Sequence, residues 1–215
     1  TKTAALDEFQ KRKAAGLDPD SFVQRVTGVP FYNHSPLDCK RIYNAPDDVR
    51  DNLKQYVTAF SSNVEDIFEN YKFAATIDDL DKKKLLYKVF QRFATEDLHP
   101  NSVSNHELGL AFEDLIRKYS ELANDTAGDH FTPREVIRLM VNLLFSQDED
   151  GLTGRGVIRT IYDPAAGTGG MLSVAEEFLY QLNPDAQLVV AGQELNPESY
   201  AICKADMLIK GQDTR

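Results

Sequence analysis

Asp163-Pro164-Ala165-Ala166-Gly167-Thr168-Gly169-Gly170 is the stretch on which the reading of this sequence turns. Three glycines in four positions let the backbone pass close to a ligand with no Cβ in the way. Just before it, Val157 to Tyr162 reads as a short buried strand, and Gly170 to Leu182 after it reads as a helix. Leu188 to Gln193 follows as a second strand. Pro197 to Lys210 makes a second helix, with Gly211 as its stop. Strand, helix, strand, helix predicts a parallel sheet wound with helices, its ligand at the C-terminal ends of the strands. The glycine stretch sits at the first of those ends.

Working outward, the chain upstream changes character. Thr132, Pro133 and Glu135 form a helix start, with Thr132 as cap and Pro133 in the first turn; the helix runs on through Val136, Met140, Leu143 and Leu144. Gln147 to Gly156 is acidic and glycine-rich and reads as a flexible connection. Ser104 and Glu107 form a capping box ahead of Leu108, Phe112, Leu115, Ile116 and Tyr119. Val49, Leu53, Tyr56, Val57, Phe60, Val64, Ile67 and Phe68 recur at helical spacing, on one face of a helix. Leu80, Leu85, Leu86, Val89, Phe90 and Phe93 form a second stripe, with Pro100 in the loop beyond. Residues 1–46 carry Pro30, Pro36 and Pro46 and little periodicity, which predicts an arm with one or two short helices. The expected fold class is therefore α + α/β: an arm at 1–46, an N-terminal helical domain at 47–127, and from 128 to 215 the start of a Rossmann-like sheet.

The chemistry of the glycine stretch follows from its charge. Asp163 at a strand end suits a cationic group, and S-adenosylmethionine offers an ammonium and a sulfonium. A dinucleotide presents anionic phosphates, which prefer bare amides at a helix N-terminus. The dinucleotide fingerprint also fails on spacing, because the third glycine would fall at Leu172, and no Gly-Lys-Ser/Thr of a P-loop occurs. A tight structural turn is the alternative for these eight residues. In Gly192-Gln193-Glu194-Leu195-Asn196, Glu194 falls at the end of the second strand, where an acid accepts from both ribose hydroxyls of an adenosyl group. A carboxylate that is merely solvated is the competing explanation.

Composition sets the outer limits. The chain has 215 residues, 42% hydrophobic and 27% charged, and no run approaches the roughly 20 apolar residues of a membrane span. It starts at Thr1 without a Met or an export leader, so the natural N-terminus is expected to be trimmed or missing. Cys39 and Cys203 show no metal-ligand spacing and fit reduced thiols in the cytoplasm. His34, His99, His106 and His130 show none either, although His130 adjoins the Phe131 segment. A net charge of −10 and an isoelectric point near 4.9 argue against this chain alone gripping a phosphate backbone.

Gly128-Asp129-His130-Phe131-Thr132-Pro133-Arg134-Glu135-Val136-Ile137-Arg138-Leu139-Met140, then Asp163 to Gly170, then Gly192-Gln193-Glu194 resembles the modification subunit of type I restriction-modification enzymes, adenine-specific DNA methyltransferases. The resemblance extends upstream through Ser104-Asn105-His106-Glu107-Leu108-Gly109 and Phe112-Glu113-Asp114-Leu115-Ile116-Arg117, and so covers most of residues 60–211. It implies a helical domain ahead of an S-adenosylmethionine-dependent methyltransferase sheet. It further implies that Phe131, Thr132 and Pro133 line the cofactor pocket, that Asp163, Ala165, Gly167, Thr168 and Gly169 border its methionine end, and that Glu194 holds the ribose. A helix cap would explain Thr132 and Pro133 without any ligand. The implied partners are a specificity subunit, a restriction subunit and, mainly through that complex, double-stranded DNA, with no membrane.

Members of the family transfer a methyl group to the exocyclic amine of adenine through an Asn-Pro-Pro-aromatic loop, whose oxygens accept from the amine while the ring stacks on a flipped base. This sequence contains no Asn-Pro-Pro. Its two Asn-Pro pairs, at Asn183 and Asn196, fall where turn and cap duties suffice. The chain is therefore expected to be a fragment that carries the cofactor side of the pocket and is inactive alone. A noncatalytic assembly or cofactor-binding module is the alternative, and a methyltransferase acting on a small molecule or a protein is a third reading.

Overall fold

The backbone hydrogen-bonding demand of Ser104 and Glu107 is met in the manner the sequence predicts. In the computed structural model the Ser104 amide donates to Glu107 Oε2 at 2.9 Å, and the Glu107 amide donates to Ser104 Oγ at 3.2 Å. The structure describes residues 2–17, 19, 22–23, 25, 31–99, 101–122 and 132–211. Two compact units account for it, one of residues 1–107 with 207–215 and one of residues 108–206.

The first unit is helical. Its elements are α1 (Lys2–Ala14), α2 (Cys39–Tyr43), α3 (Val49–Val57), α4 (Ser62–Asn70), α5 (Phe73–Lys82) and α6 (Leu86–Ala94). Ile42, Val49, Ile77 and Leu86 form its buried centre, and Leu53, Tyr56, Phe73 and Phe90 pack around them. Asp78 on α5 takes Arg50 and Lys54 of α3, each at 2.7 Å. In the arm, Phe9 of α1 stacks on His34 with ring centroids 4.5 Å apart.

Two expectations are corrected here. The stripe from Val49 to Phe68 belongs to two helices, because residues 58–61 leave the helix to pair elsewhere. Phe60 bridges Asn33, the His34 amide donates to the Ala59 carbonyl, and the Ser61 amide donates to the Tyr32 carbonyl. The stripe from Leu80 to Phe93 is split as well. Lys84 sits at φ 57°, and α5 closes with the Leu85 amide on the Leu80 carbonyl and the Lys84 amide on the Asp81 carbonyl. That pair of bonds is a Schellman closure, here with lysine at the left-handed position where glycine is usual.

Helix α7 (Asn105–Leu122) leads into the second unit, which holds α8 (Arg134–Phe145), α9 (Glu149–Leu152), β1 (Ile158–Asp163), α10 (Gly170–Leu182), β2 (Gln187–Gly192) and most of α11 (Pro197–Ile209). The strands pair in parallel, from Ile158 with Gln187 to Asp163 with Gly192. The crossover helix α10 buries Leu172, Val174, Ala175 and Leu179, and α8 buries Ile137, Val141 and Phe145 at four-residue spacing. Phe145 stacks on Phe178 at 5.3 Å. α11 starts on Asn196, whose Oδ1 accepts the Glu198 and Ser199 amides.

Three further expectations are adjusted. β1 is mostly solvent-facing, with only Ile161 buried, whereas an apolar run had suggested a buried strand. The stretch from Gln147 to Gly156 is held rather than loose. Leu152 of α9 is fully buried, Arg159 pairs with Asp148 at 2.6 Å, and Asn183 Nδ2 donates to the Leu152 and Gly154 carbonyls. At the start of α8 the cap position falls on Pro133, with no side-chain cap bond, and the Val136 and Ile137 amides donate to the Pro133 carbonyl. Thr132 thus stands one residue outside the cap it was expected to provide. Among the described residues no helix is long and apolar enough to cross a membrane.

Candidate functional site

The ends of β1 and β2 are laced together by backbone bonds that leave little freedom in the loops beyond them. The Gln193 amide donates to the Asp163 carbonyl and the Ala166 amide to the Gln193 carbonyl, each at 2.9 Å. Asp163 Oδ1 accepts the Ala165 amide at 3.0 Å, an Asx turn that bends the chain out of the strand. Glu194 completes the arrangement from the other strand. Its Oε2 accepts the Gly167 amide and its Oε1 the Asn196 amide, both at 2.7 Å. A carboxylate has about four acceptor positions, so these two bonds orient Glu194 and leave capacity for two more donors.

The glycines of the loop have separate tasks. Gly167, at φ 55°, has nothing within 4 Å of where a Cβ would stand, so its exposed side is open. Gly169, at φ 87°, caps α10 and lies against Cys203 of α11, whose Sγ would be 2.7 Å from an added Cβ. Gly170 is pressed on Ile137 of α8 in the same way, at 2.7 Å from its Cδ1. Gly192 is close behind, 3.1 Å from Ala166 Cβ.

Beside this loop the second unit holds a half-open cavity of about 260 Å³. Thr132, Arg134, Thr168, Gly170, Ser173 and Asp206 are in its wall, together with residues of α7. Several of its charges are paired within the wall or beside it. Arg134 Nη1 meets Glu113 Oε2 at 2.8 Å and Arg134 Nη2 meets Glu177 Oε2 at 2.7 Å. Asp114 is held below the usual carboxylate range by hydrogen bonds from Lys118 and Arg117. Ser173 Oγ donates to Asp206 Oδ2 at 3.2 Å.

The residues singled out from sequence therefore fall into two neighbouring groups. Asp163, Ala165, Gly167, Gly169 and Glu194 meet at the strand ends, while Thr132 and Thr168 share the cavity wall, and Pro133 is exposed at the start of α8. Phe131 and His130 lie outside the described residues, as does Pro100. Sequence reading missed Cys203 behind the loop and the carboxylates that flank Arg134. The only hint of the latter was position, since Arg134 directly follows Thr132-Pro133 and Glu113 stands in the upstream run quoted above. Asn183 and Asn196 make the turn and cap bonds expected of them. Among the described residues no group of three or more His, Cys, Asp or Glu is placed to hold a metal.

Residues 103–215 match the family model described as N-6 DNA Methylase, and residues 2–93 match that of the HsdM N-terminal domain. The chain is similar to the type I restriction enzyme HindI methylase subunit of Haemophilus influenzae, at 29% identity over 49% of this chain and 22% of the relative. Similarity to the EcoEI methylase subunit of Escherichia coli is 26% over 77% of this chain and 33% of the relative. For the MjaIX methylase subunit of Methanocaldococcus jannaschii the figures are 30% over 49% and 17%. The chain thus spans a third or less of the length of these curated relatives. The fold also matches a solved type I restriction-modification methyltransferase subunit from Streptococcus thermophilus, with a TM-score of 0.64 at 24% identity, over 91% of this chain and 40% of the other.

Proposed function

Because this chain belongs to the N-6 DNA methylase family, we propose that residues 131–194 hold S-adenosylmethionine. In this reading the full protein is the modification subunit of a cytoplasmic type I restriction-modification system that methylates adenine in DNA. The observation that carries the cofactor reading is Glu194, clamped by two amides at the end of β2 and still able to accept from both hydroxyls of a ribose. The residues present fit the group. Gly167 offers open space on its ligand side, where the methionine end would pass without meeting a side chain. Asp163 places a negative charge near a cationic amino-acid end. A cavity of about 260 Å³ lies below the roughly 300–1,000 Å³ of pockets that enclose a whole drug-sized ligand, so it suits one end of the cofactor rather than all of it.

Bound there, the cofactor supplies a methyl group on a sulfonium, open to attack by an amine. The chain's own part is to hold and orient it. Glu194 fixes the ribose, Asp163 and the Ala165 to Gly169 backbone border the methionine end, and Thr132 and Pro133 line the pocket beside them, where the family resemblance also implies Phe131. The two Asn-Pro pairs are occupied with a turn and a cap, which favours the cofactor-binding side of a methyltransferase, without the base-handling loop, for these 215 residues. On this reading the chain by itself binds the methyl donor and transfers nothing. DNA sequence would be read by a specificity subunit, in keeping with the chain's net charge of −10, and restriction would need a further subunit.

Calorimetry with S-adenosylmethionine tests this directly. The wild-type protein is expected to bind, and Glu194→Ala to bind between about ten- and more than a hundredfold more weakly, as the loss of charge-assisted hydrogen bonds implies. Absence of heat from the wild type at millimolar cofactor would leave only the noncatalytic assembly reading.

A further inference from the structure

We propose that Arg134 is a positioning residue for the methyl donor, fastening the Thr132–Pro133 wall to the glycine-loop helix; the inference rests on the cofactor reading above. Arg134 is the first residue of α8, two positions after Thr132. A cation there is opposed by the helix dipole, which favours acids at an N-terminus, as Glu135 in the same turn illustrates. Its presence calls for a different stabilising interaction, and the structure supplies one on each side. Nη1 is bonded to Glu113 of α7 and Nη2 to Glu177 of α10. One planar guanidinium therefore ties three helices.

The geometry gives that tie a direction. Glu177 is on α10, the helix whose first turn carries Gly170 and whose preceding loop carries Thr168 and Gly169. Thr132, Arg134, Thr168 and Gly170 all border the same cavity. α8 and α10 already touch at Ile137 with Gly170 and at Phe145 with Phe178. These apolar contacts set how far apart the two helices lie, but apolar packing tolerates sliding along a helix axis. Two charge-assisted bonds with fixed fork geometry do not. Arg134 Nε is itself buried and has no acceptor among the described residues, while the side chain as a whole is about 35% exposed, so the guanidinium is half set into the packing. Lysine offers one mobile point charge in place of the fork and cannot hold both carboxylates in register.

The test is carried out on the full-length protein in its complex, with Arg134→Gln, Arg134→Lys and Glu177→Gln. Dissociation constants for S-adenosylmethionine come from calorimetry, and melting temperatures are measured separately. Arg134→Gln is expected to raise the dissociation constant about tenfold, the equivalent of one charge-assisted bond. Arg134→Lys should recover part of this, and Glu177→Gln, which opens one partly exposed arm, should weaken binding about threefold. KM for the cofactor should rise in step while kcat at saturating cofactor stays within about twofold of wild type. In the cofactor-free protein, amides 168–170 should exchange faster in Arg134→Gln.

An unchanged dissociation constant in Arg134→Gln overturns the inference whatever its melting temperature, because a purely structural ion pair would move only the latter. Should that variant not fold, an unchanged constant in Glu177→Gln overturns it equally. A fall in kcat as large as that in kcat/KM also overturns it, since Arg134 would then act in the reaction itself. A wild-type protein that binds no cofactor overturns the functional reading, and this inference with it.

Discussion

At the residue scale, a close constraint in the second unit is the packing of a glycine on a sulfur. Gly169 has φ 87° and faces Cys203 Sγ at a distance no Cβ tolerates. Gly169→Ala therefore meets two separate penalties: a left-handed backbone costing about 1–2 kcal/mol and an overlap whose relief by local shifts costs about 1–3 kcal/mol. Cys203→Ala removes the second penalty and leaves the first, since the remaining Cβ of residue 203 stands at an ordinary 3.5 Å. The double variant is expected to be more stable than the sum of the two single changes predicts, by roughly 1 kcal/mol or more in a denaturant-based double-mutant cycle. Strict additivity would mean that the loop and α11 are not in contact as described. Gly167 makes the contrast: it shares the left-handed conformation but has free space, so Gly167→Ala should carry the backbone penalty alone.

At the element scale, what could be read in the sequence and what could not divide along the range of the forces involved. The capping box at Ser104, the helix from Gly170 to Leu182, the Asn196 cap and the Gly211 stop were legible because each rests on residues within one or two turns. Both strands were legible to within one residue, and so was the site loop, whose glycines and acids announce their own geometry. The break at residues 58–61 was not, since it is made by partners at 32–34, and an apolar stripe continues unbroken through it. The fork on Arg134 was hidden for the same reason, with its two acids 21 and 43 positions away. At residues 83–85 the obstacle is different: the closure is local, but lysine stands where glycine would have signalled it. Replacing Lys84 by Gly removes a left-handed penalty of about 1–2 kcal/mol and adds about 0.4–1 kcal/mol of unfolded-chain entropy. A net gain of roughly 0.5–1 kcal/mol should follow, read as a rise in melting temperature, while Lys84→Ala gains nothing. A destabilised Lys84→Gly would show that α5 does not end in this closure.

At the scale of the whole molecule, net charge and native ion pairs set two distinct responses to acid. The chain carries −10 at neutral pH and reaches zero near pH 4.9, where repulsion between molecules vanishes. Exposed apolar side chains such as Phe93, Leu139, Leu143 and Tyr180 then favour association. The fold itself should outlast that point. Asp78 of the first unit is held below the ordinary carboxylate range by hydrogen bonds from Lys54 and Arg50, and Asp148 of the second by Arg159. A carboxyl whose folded pKa is depressed contributes stability that is fully present above its unfolded value, about 3.9 for Asp, and is lost as pH falls through the folded value. Light scattering should therefore peak near pH 4.9 with native circular dichroism, and helical signal should fall only below about pH 4. Asp78→Asn should lower stability at pH 7 and shrink the difference between pH 7 and pH 3, without moving the scattering peak. Loss of helix coincident with that peak, or an acid transition indifferent to Asp78→Asn, would show that the Asp78 pairs do not hold the helical unit together. Because these pairs join α3 to α5, the helix that buries Ile77, the prediction also locates the first helices to separate in acid.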